Sequence, residues 1–290
     1  MKKPSVAIVG CGKVGTALGK FLTAAGYRLV GISCKNFLSA QRAADLLHPR
    51  LFSDVAWEVT ATADVVFVST PDDVIEEVCG SISRHNGFKQ GAVVLHCSGA
   101  LPSTILASAR QGGMSTGSMH PLQSFASLDF SANPFHGIAV FIEGDQTATV
   151  QAGRMASDLG ANCLTIETSA KILYHAAAVV ASNYLVALLD LAFKLIGKAK
   201  ISGRDAYRAL TPLIEGTLAN ISNVGIPQAL TGPIARGDVE IVKRHVTEIA
   251  AKAPELLELY KTLGCYTVDV ARAKGGVSES CVKELKDVLG

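Results

Sequence analysis

Four side chains in this 290-residue sequence are of types that move protons or polarise a carbonyl: Ser98, His120, Lys171 and His175. A serine hydroxyl and an imidazole both donate and accept hydrogen bonds, so Ser98 and His120 could hold a substrate oxygen or nitrogen and polarise it. A partly desolvated ammonium gives up its proton more readily than a free one, which suits Lys171 to proton transfer near neutral pH. His175 follows Lys171 by four residues, and on a helix that spacing puts both on one face. Ser98 lies in His96-Cys97-Ser98-Gly99, and His120 in Met119-His120-Pro121-Leu122-Gln123-Ser124-Phe125. Pro121 keeps the residue before it extended, which would fix the His120 imidazole at a strand edge. The plainer alternative makes Lys171 a first-turn surface lysine and the histidines hydrogen-bonded packing residues.

A second group has the chemistry of an anion cradle. Gly10-Cys11-Gly12-Lys13-Val14-Gly15 follows the apolar run Ser5–Val9 and enters a helical pattern that Gly26 stops. In a dinucleotide-binding turn, Gly10 makes the tight turn, Gly12 lets backbone approach a pyrophosphate, and Gly15 packs helix against strand. Cys11, Lys13 and Val14 would then offer backbone N–H groups at the helix N-terminus. The next strand ends in Ile32-Ser33-Cys34-Lys35-Asn36, without the carboxylate that usually holds an NAD ribose. Ser33, Lys35 and Asn36 could instead bind a 2′-phosphate, so NADP is expected before NAD. Ser69-Thr70-Pro71 stands where such a chain passes the nicotinamide-side ribose. An empty scaffold of the same fold is the alternative.

These residues need a scaffold, and the periodicities supply one. Strands are expected at 5–9, 28–33, 63–69, 92–96, 115–120, 137–142 and 162–166, with helices between most of them. Alternating strands and helices imply a doubly wound, mostly parallel α/β sheet. Beyond Thr168 the pattern becomes helical: 169–198, 205–222, 239–251 capped by Asp238, 254–274 and 278–289. The expected domains are 1–168, binding NADP, and 169–290, all helical, with the substrate between them. The helix apolar on nearly every face between Ala176 and Ala192 should be buried, partly by a second subunit of a homodimer.

Composition narrows the class. Apolar residues make up 49% and net charge is +2, with no basic run for nucleic acid. The uncharged stretch Leu173–Leu189 falls short of the ~20 residues of a membrane span. Seven scattered cysteines without a C-x-x-C motif suit reduced thiols in the cytoplasm and argue against a metal site.

Taken together, the tracts at 96–100, 120–125, 171–178 and 231–238 (His-Cys-Ser-Gly-Ala, His-Pro-Leu-Gln-Ser-Phe, Lys-x-x-Tyr-His-Ala-Ala-Ala, Thr-Gly-Pro-Ile-Ala-Arg-Gly-Asp) resemble one family across essentially the whole chain. It is a largely uncharacterised bacterial family, provisionally named as oxidoreductases, with a Rossmann-like domain and a helical C-terminal domain of unknown function. The chain more distantly resembles β-hydroxyacid dehydrogenases, pyrroline-5-carboxylate reductase, deazaflavin-dependent NADP reductases and prephenate dehydrogenase. In the first of these a Lys-x-x-x-Asn pair opens the interdomain helix; Lys171 matches the lysine, while His175 takes the asparagine place. Prephenate dehydrogenase shares a His-Pro and a serine that His120 and Ser98 resemble. The resemblance implies hydride transfer between NADP and a small polar carbonyl, imine or alcohol, with Lys171 or His175 carrying the proton. A nucleotide-binding sensor without turnover is the rival, as is a prephenate- or pyrroline-carboxylate-type reductase with Arg236 as carboxylate clamp.

Overall fold

Ser5–Val9 forms β1, buried along its whole length, as an apolar run covered on both faces should be. The computed structural model describes residues 3–128 and 130–290. After β1 come α1 (Lys13–Ala24), β2 (Arg28–Ser33), α2 (Phe37–Leu47), β3 (Phe52–Ser53), α3 (Ala56–Thr60), β4 (Val65–Val68), α4 (Ile75–Arg84) and β5 (Val93–His96). Then follow α5 (Ala107–Gln111), β6 (Ser115–Pro121), β7 (Ala139–Gly144), α6 (Gln146–Asp158) and β8 (Asn162–Thr165). The strands make one eight-stranded sheet in the order β3-β2-β1-β4-β5-β6-β7-β8. Every pairing is parallel except β6 with β7. The two-residue β3 was not expected, because so short a pairing leaves no alternation to read.

Strand register lines up the positions that matter. Ser33, Val9, Val68, His96, Ser118 and Glu143 are successive partners across six strands. The chain leaves β1, β4 and β5 just past this row, so the glycine loop, Ser69 and Cys97 emerge along one edge, while β6 runs on through His120 to Pro121. Apolar clusters fill both faces, Ile8, Phe67 and Leu95 on one, Val66, Ile75 and Val94 on the other.

The helical remainder comprises α7 (Lys171–Val179), α8 (Leu185–Lys198), α9 (Gly203–Val224), α10 (Ile226–Ala229), α11 (Pro233–Arg236), α12 (Val239–Lys252), α13 (Leu257–Lys274) and α14 (Glu279–Leu289). Asp238 caps α12 by accepting from the Ile241 N–H at 3.3 Å. A π-helical turn at Val180–Tyr184 joins α7 to α8. The chain divides into two compact units inside that turn, the first ending at Ser182 and the second spanning Asn183–Gly290. The sheet unit therefore carries α7 with it, beyond the expected boundary at 168. In the second unit Val242, Val268 and Leu285 centre a small core.

The apolar stretch is longer than the uncharged run Leu173–Leu189 indicated. The helical stretch Thr168–Lys198 is 31 residues long, and its most apolar window is 6% buried with a mean hydropathy of 1.8. By length and composition it could cross a membrane. Its first turn is otherwise engaged, since Lys171 is 2% exposed. In the single chain Leu173 on α7 and Val186 on α8 are 79% and 68% exposed. Periodicity gave the helix its extent but not its cover.

Candidate active site

The glycine loop is built from steric necessity at two positions and open space at a third. A Cβ on Gly10 would lie 2.8–2.9 Å from backbone atoms of Ser69 and Thr70, and φ there is +94°. A Cβ on Gly15 would come within 2.1 Å of the Gly10 carbonyl and 2.5 Å of Ser69 Oγ. Both glycines are thus demanded by the fold itself. Gly12 is different, because nothing stands within 4 Å of where its Cβ would be. It is the N-cap of α1, and no side chain caps that helix. Unpaired N–H groups at a helix start, under open space, are the donor set a pyrophosphate needs. Thr70 Oγ1 beside the loop is buried without a hydrogen-bond partner, and Ser69 Oγ donates to the Gly10 carbonyl at 2.7 Å. These residues fit a dinucleotide.

Past β2 the expected 2′-phosphate group is only partly presented. Lys35 is exposed. Asn36 spends its Oδ1 capping α2, accepting from the Ser39 N–H at 2.9 Å. Ser33 is 2% exposed, because the last residue of β2 faces into the sheet packing rather than outward.

On the other side, β6 and α7 bring together His120, Tyr174 and His175. His120 Nδ1 is 2.8 Å from the Tyr174 hydroxyl, and the two imidazole centroids are 6.3 Å apart. Phe141, the partner of His120 across β6 and β7, backs Tyr174 with ring centroids at 4.2 Å. Gly99 floors the cluster: a Cβ there would meet His120 Nε2 at 2.8 Å and His175 Cδ2 at 2.7 Å. Burial, aided by the Lys171 charge and His175, pulls His120 down to about 4, so its ring is neutral at pH 7. Burial also pushes the Tyr174 phenol up to about 12. Tyr174 was not singled out from the sequence, although its place three residues after Lys171 puts it on the same helical face.

Lys171 lies deeper than expected. Its Nζ donates to the Ser118 hydroxyl at 2.6 Å and the Ser98 carbonyl at 3.0 Å, and stands 3.7 Å from Glu143 Oε1. Glu143, itself 2% exposed, accepts from the Ser103 N–H and hydroxyl, both at 2.7 Å, and from Thr168 Oγ1 at 2.9 Å. Burial lowers the Lys171 pKa, with Glu143 working against that shift. Burial would raise Glu143, yet the Ser103 and Thr168 hydrogen bonds and the lysine charge carry it below the usual range. Ser98 is likewise committed, for its Oγ donates to Asp72 Oδ2 at 2.7 Å and accepts from the Ala100 and Leu101 N–H groups. Glu143 carried no recognisable motif, and Asp72 was visible only as part of the Ser69-Thr70-Pro71-Asp72 turn; its bond to Ser98 appears only in three dimensions. Arg236 lies exposed at the end of α11 in the second unit.

Among the described residues no cluster of His, Cys, Asp and Glu could hold a metal ion. No protein of curated function matches the sequence. Solved structures do. The chain is 23% identical to a Bacteroides fragilis protein whose name assigns it, provisionally, to the NADP oxidoreductases, over 94% of this chain and 98% of that one, with a TM-score of 0.75. It is 27% identical to a Thermotoga maritima protein, over 93% and 99%, with a TM-score of 0.71. The 1-pyrroline-5-carboxylate reductase of Streptococcus pyogenes shares 15% identity over 99% and 100%, with a TM-score of 0.61. Residues 1–121 match the Rossmann-like domain family, and residues 138–267 match a domain of unknown function (DUF2520). The chain therefore joins a Rossmann-like domain to a DUF2520 domain.

Proposed function

We propose that this protein is an NADP(H)-dependent oxidoreductase acting on a small polar carbonyl or imine, or on the corresponding alcohol or amine. The observation that carries the reading is the His120–Tyr174–His175 cluster over Gly99, on the same edge of the sheet as the open cradle at Gly12. Bound in that cradle, a reduced nicotinamide supplies the hydride. The Tyr174 hydroxyl donates to His120 Nδ1, which leaves the His120 Nε2–H facing the substrate to polarise its oxygen or nitrogen. His175 gives or takes the proton. Lys171 is a positioning residue in this scheme: it holds the Ser98 carbonyl and, as a buried cation, adds to the burial that keeps His120 neutral. Lys35, exposed past β2, supports NADP over NAD.

The deciding measurement follows NADPH and NADH oxidation against a panel of 2-oxoacids, aldehydes and cyclic imines. Turnover with at least one substrate class is expected, lost in H175N without loss of NADPH binding. K35A should weaken NADPH about tenfold, roughly 1.4 kcal/mol, and leave NADH unchanged. Tighter binding of NADH to the native protein would reverse the cofactor choice, and an inert panel would favour a nucleotide-binding sensor.

The exposed apolar residues of α7 and α8 also support a homodimer of the reducing cytoplasm, burying more than the ~2,000 Å² where obligate interfaces begin. Sedimentation at micromolar concentration tests this, and a monomer rejects it.

A further inference from the structure

Cys11 and Cys34 occupy the same corner of the sheet. Cys34 is the first residue past β2 and Cys11 the second past β1. Those strand ends are locked together, with Val9 paired to Ser33 and the Gly10 N–H donating to the Ser33 carbonyl at 2.8 Å. Both cysteines are half-buried against the same apolar cluster. The Cys11 thiol is a neighbour that acts on the Cys34 sulfur and holds its pKa below the usual thiol value. None of this is used by the proposed reaction.

We propose that Cys11 and Cys34 are an oxidisable thiol pair whose disulfide closes the dinucleotide loop. The gating half rests on the cofactor assignment made above. The Cys11 thiol draws Cys34 down to about 7, despite burial acting the other way, while Cys34 and burial raise Cys11. Burial instead raises Cys79, Cys97 and Cys163. A thiolate is the reactive form, so Cys34 is the thiol a peroxide reaches first.

The chemistry balances. The Cys34 thiolate attacks one oxygen of hydrogen peroxide, the O–O bond breaks, and hydroxide leaves a sulfenic acid. Cys11 then attacks that sulfur; the S–S bond forms, the S–O bond breaks, and water departs with the Cys11 proton. Two thiols and one peroxide give a disulfide and two waters. A disulfide holds its Cβ atoms about 3.5–4.5 Å apart. That fixes Cys11, between Gly10 and Gly12, onto the end of β2 and removes the freedom the glycine loop needs to close around a pyrophosphate. Lys35, the neighbour of Cys34, is tethered in the same movement.

The test treats the purified full-length protein with hydrogen peroxide, with and without saturating NADPH. Peptide mass spectrometry reads the link, and NADPH titration reads affinity before and after a dithiol reductant. The expected result is a Cys11–Cys34 linked peptide, two hydrogens lighter than its reduced parts, and affinity at least tenfold weaker until reduction. Bound NADPH should slow the link, and C34S and C11S should each show less than a twofold change on oxidation. No linked peptide in protein that binds NADPH normally overturns the thiol pair alone. A link that leaves affinity unchanged overturns the gate. Reduced protein that binds neither NADPH nor NADH overturns the cofactor assignment and the gate together, while the linked peptide still reports on the pair.

Discussion

Two regions on one edge of the sheet are made in opposite ways. The glycine loop is shaped by backbone and by missing side chains: Gly10 and Gly15 admit no Cβ, and Gly12 has open space above it. The cluster behind β5, β6 and β7 is shaped by side chains that satisfy one another: Lys171 donates to Ser118, Ser103 and Thr168 donate to Glu143, and the two charges stand 3.7 Å apart. The first region should respond to added volume. The second should respond to lost partners and to protons.

The largest effect is expected in the side-chain region. K171M leaves the Glu143 carboxylate buried without its cation, and removing one member of a buried pair costs about 3–5 kcal/mol. Urea unfolding should show that loss, and K171M/E143Q should recover part of it. Equal stability of the single and double variants would show that the two charges are not coupled.

Protons come next. His96 is fully buried, and burial with the Lys171 charge draws it down to about 4 from 6.5. The unfolded chain therefore binds a proton that the folded one refuses between those values. Stability should be complete above pH 6.5 and fall as the pH drops toward 4, by up to about 3 kcal/mol at 1.36 kcal/mol per unit. H96N should flatten that slope in urea titrations at pH 7 and 4.5; an unchanged slope would place the acid sensitivity elsewhere.

The backbone region should give the smallest changes. G15A forces a Cβ against the Gly10 carbonyl, an overpacking cost of about 1–3 kcal/mol. G12A meets nothing and should stay within about 0.5 kcal/mol of the native protein while weakening NADPH binding tenfold or more. If G12A unfolds as readily as G15A, the two glycines do the same work and the contrast between cradle and scaffold fails.

The same contrast explains what could be read from sequence. A region made by backbone sterics announces itself through residue type, so the glycine loop, the strands around it and the cap Asp238 were legible. A region made by mutual side-chain contacts is written in distant residues. Lys171 was visible as unusual, but its partners lie 28 positions back at Glu143 and 53 back at Ser118, so its burial could not be read. The bond that engages the Ser98 hydroxyl was hidden for the same reason, because Asp72 lies 26 positions away. The exposure of α7 and α8 was hidden because periodicity states which residues are apolar and not what covers them.

The hydrogen bond between Asp72 and Ser98 has a thermodynamic consequence. Asp72 follows Ser69-Thr70-Pro71, beside the glycine loop, while the Ser98 backbone holds Lys171 through its carbonyl and leads into Gly99 beneath the two histidines. A ligand that displaces one loop must stretch this 2.7 Å bond or carry the other loop with it. Any free energy passed that way is reciprocal. A dinucleotide that tightens the histidine floor is itself held more tightly once that floor is occupied, whichever ligand arrives first.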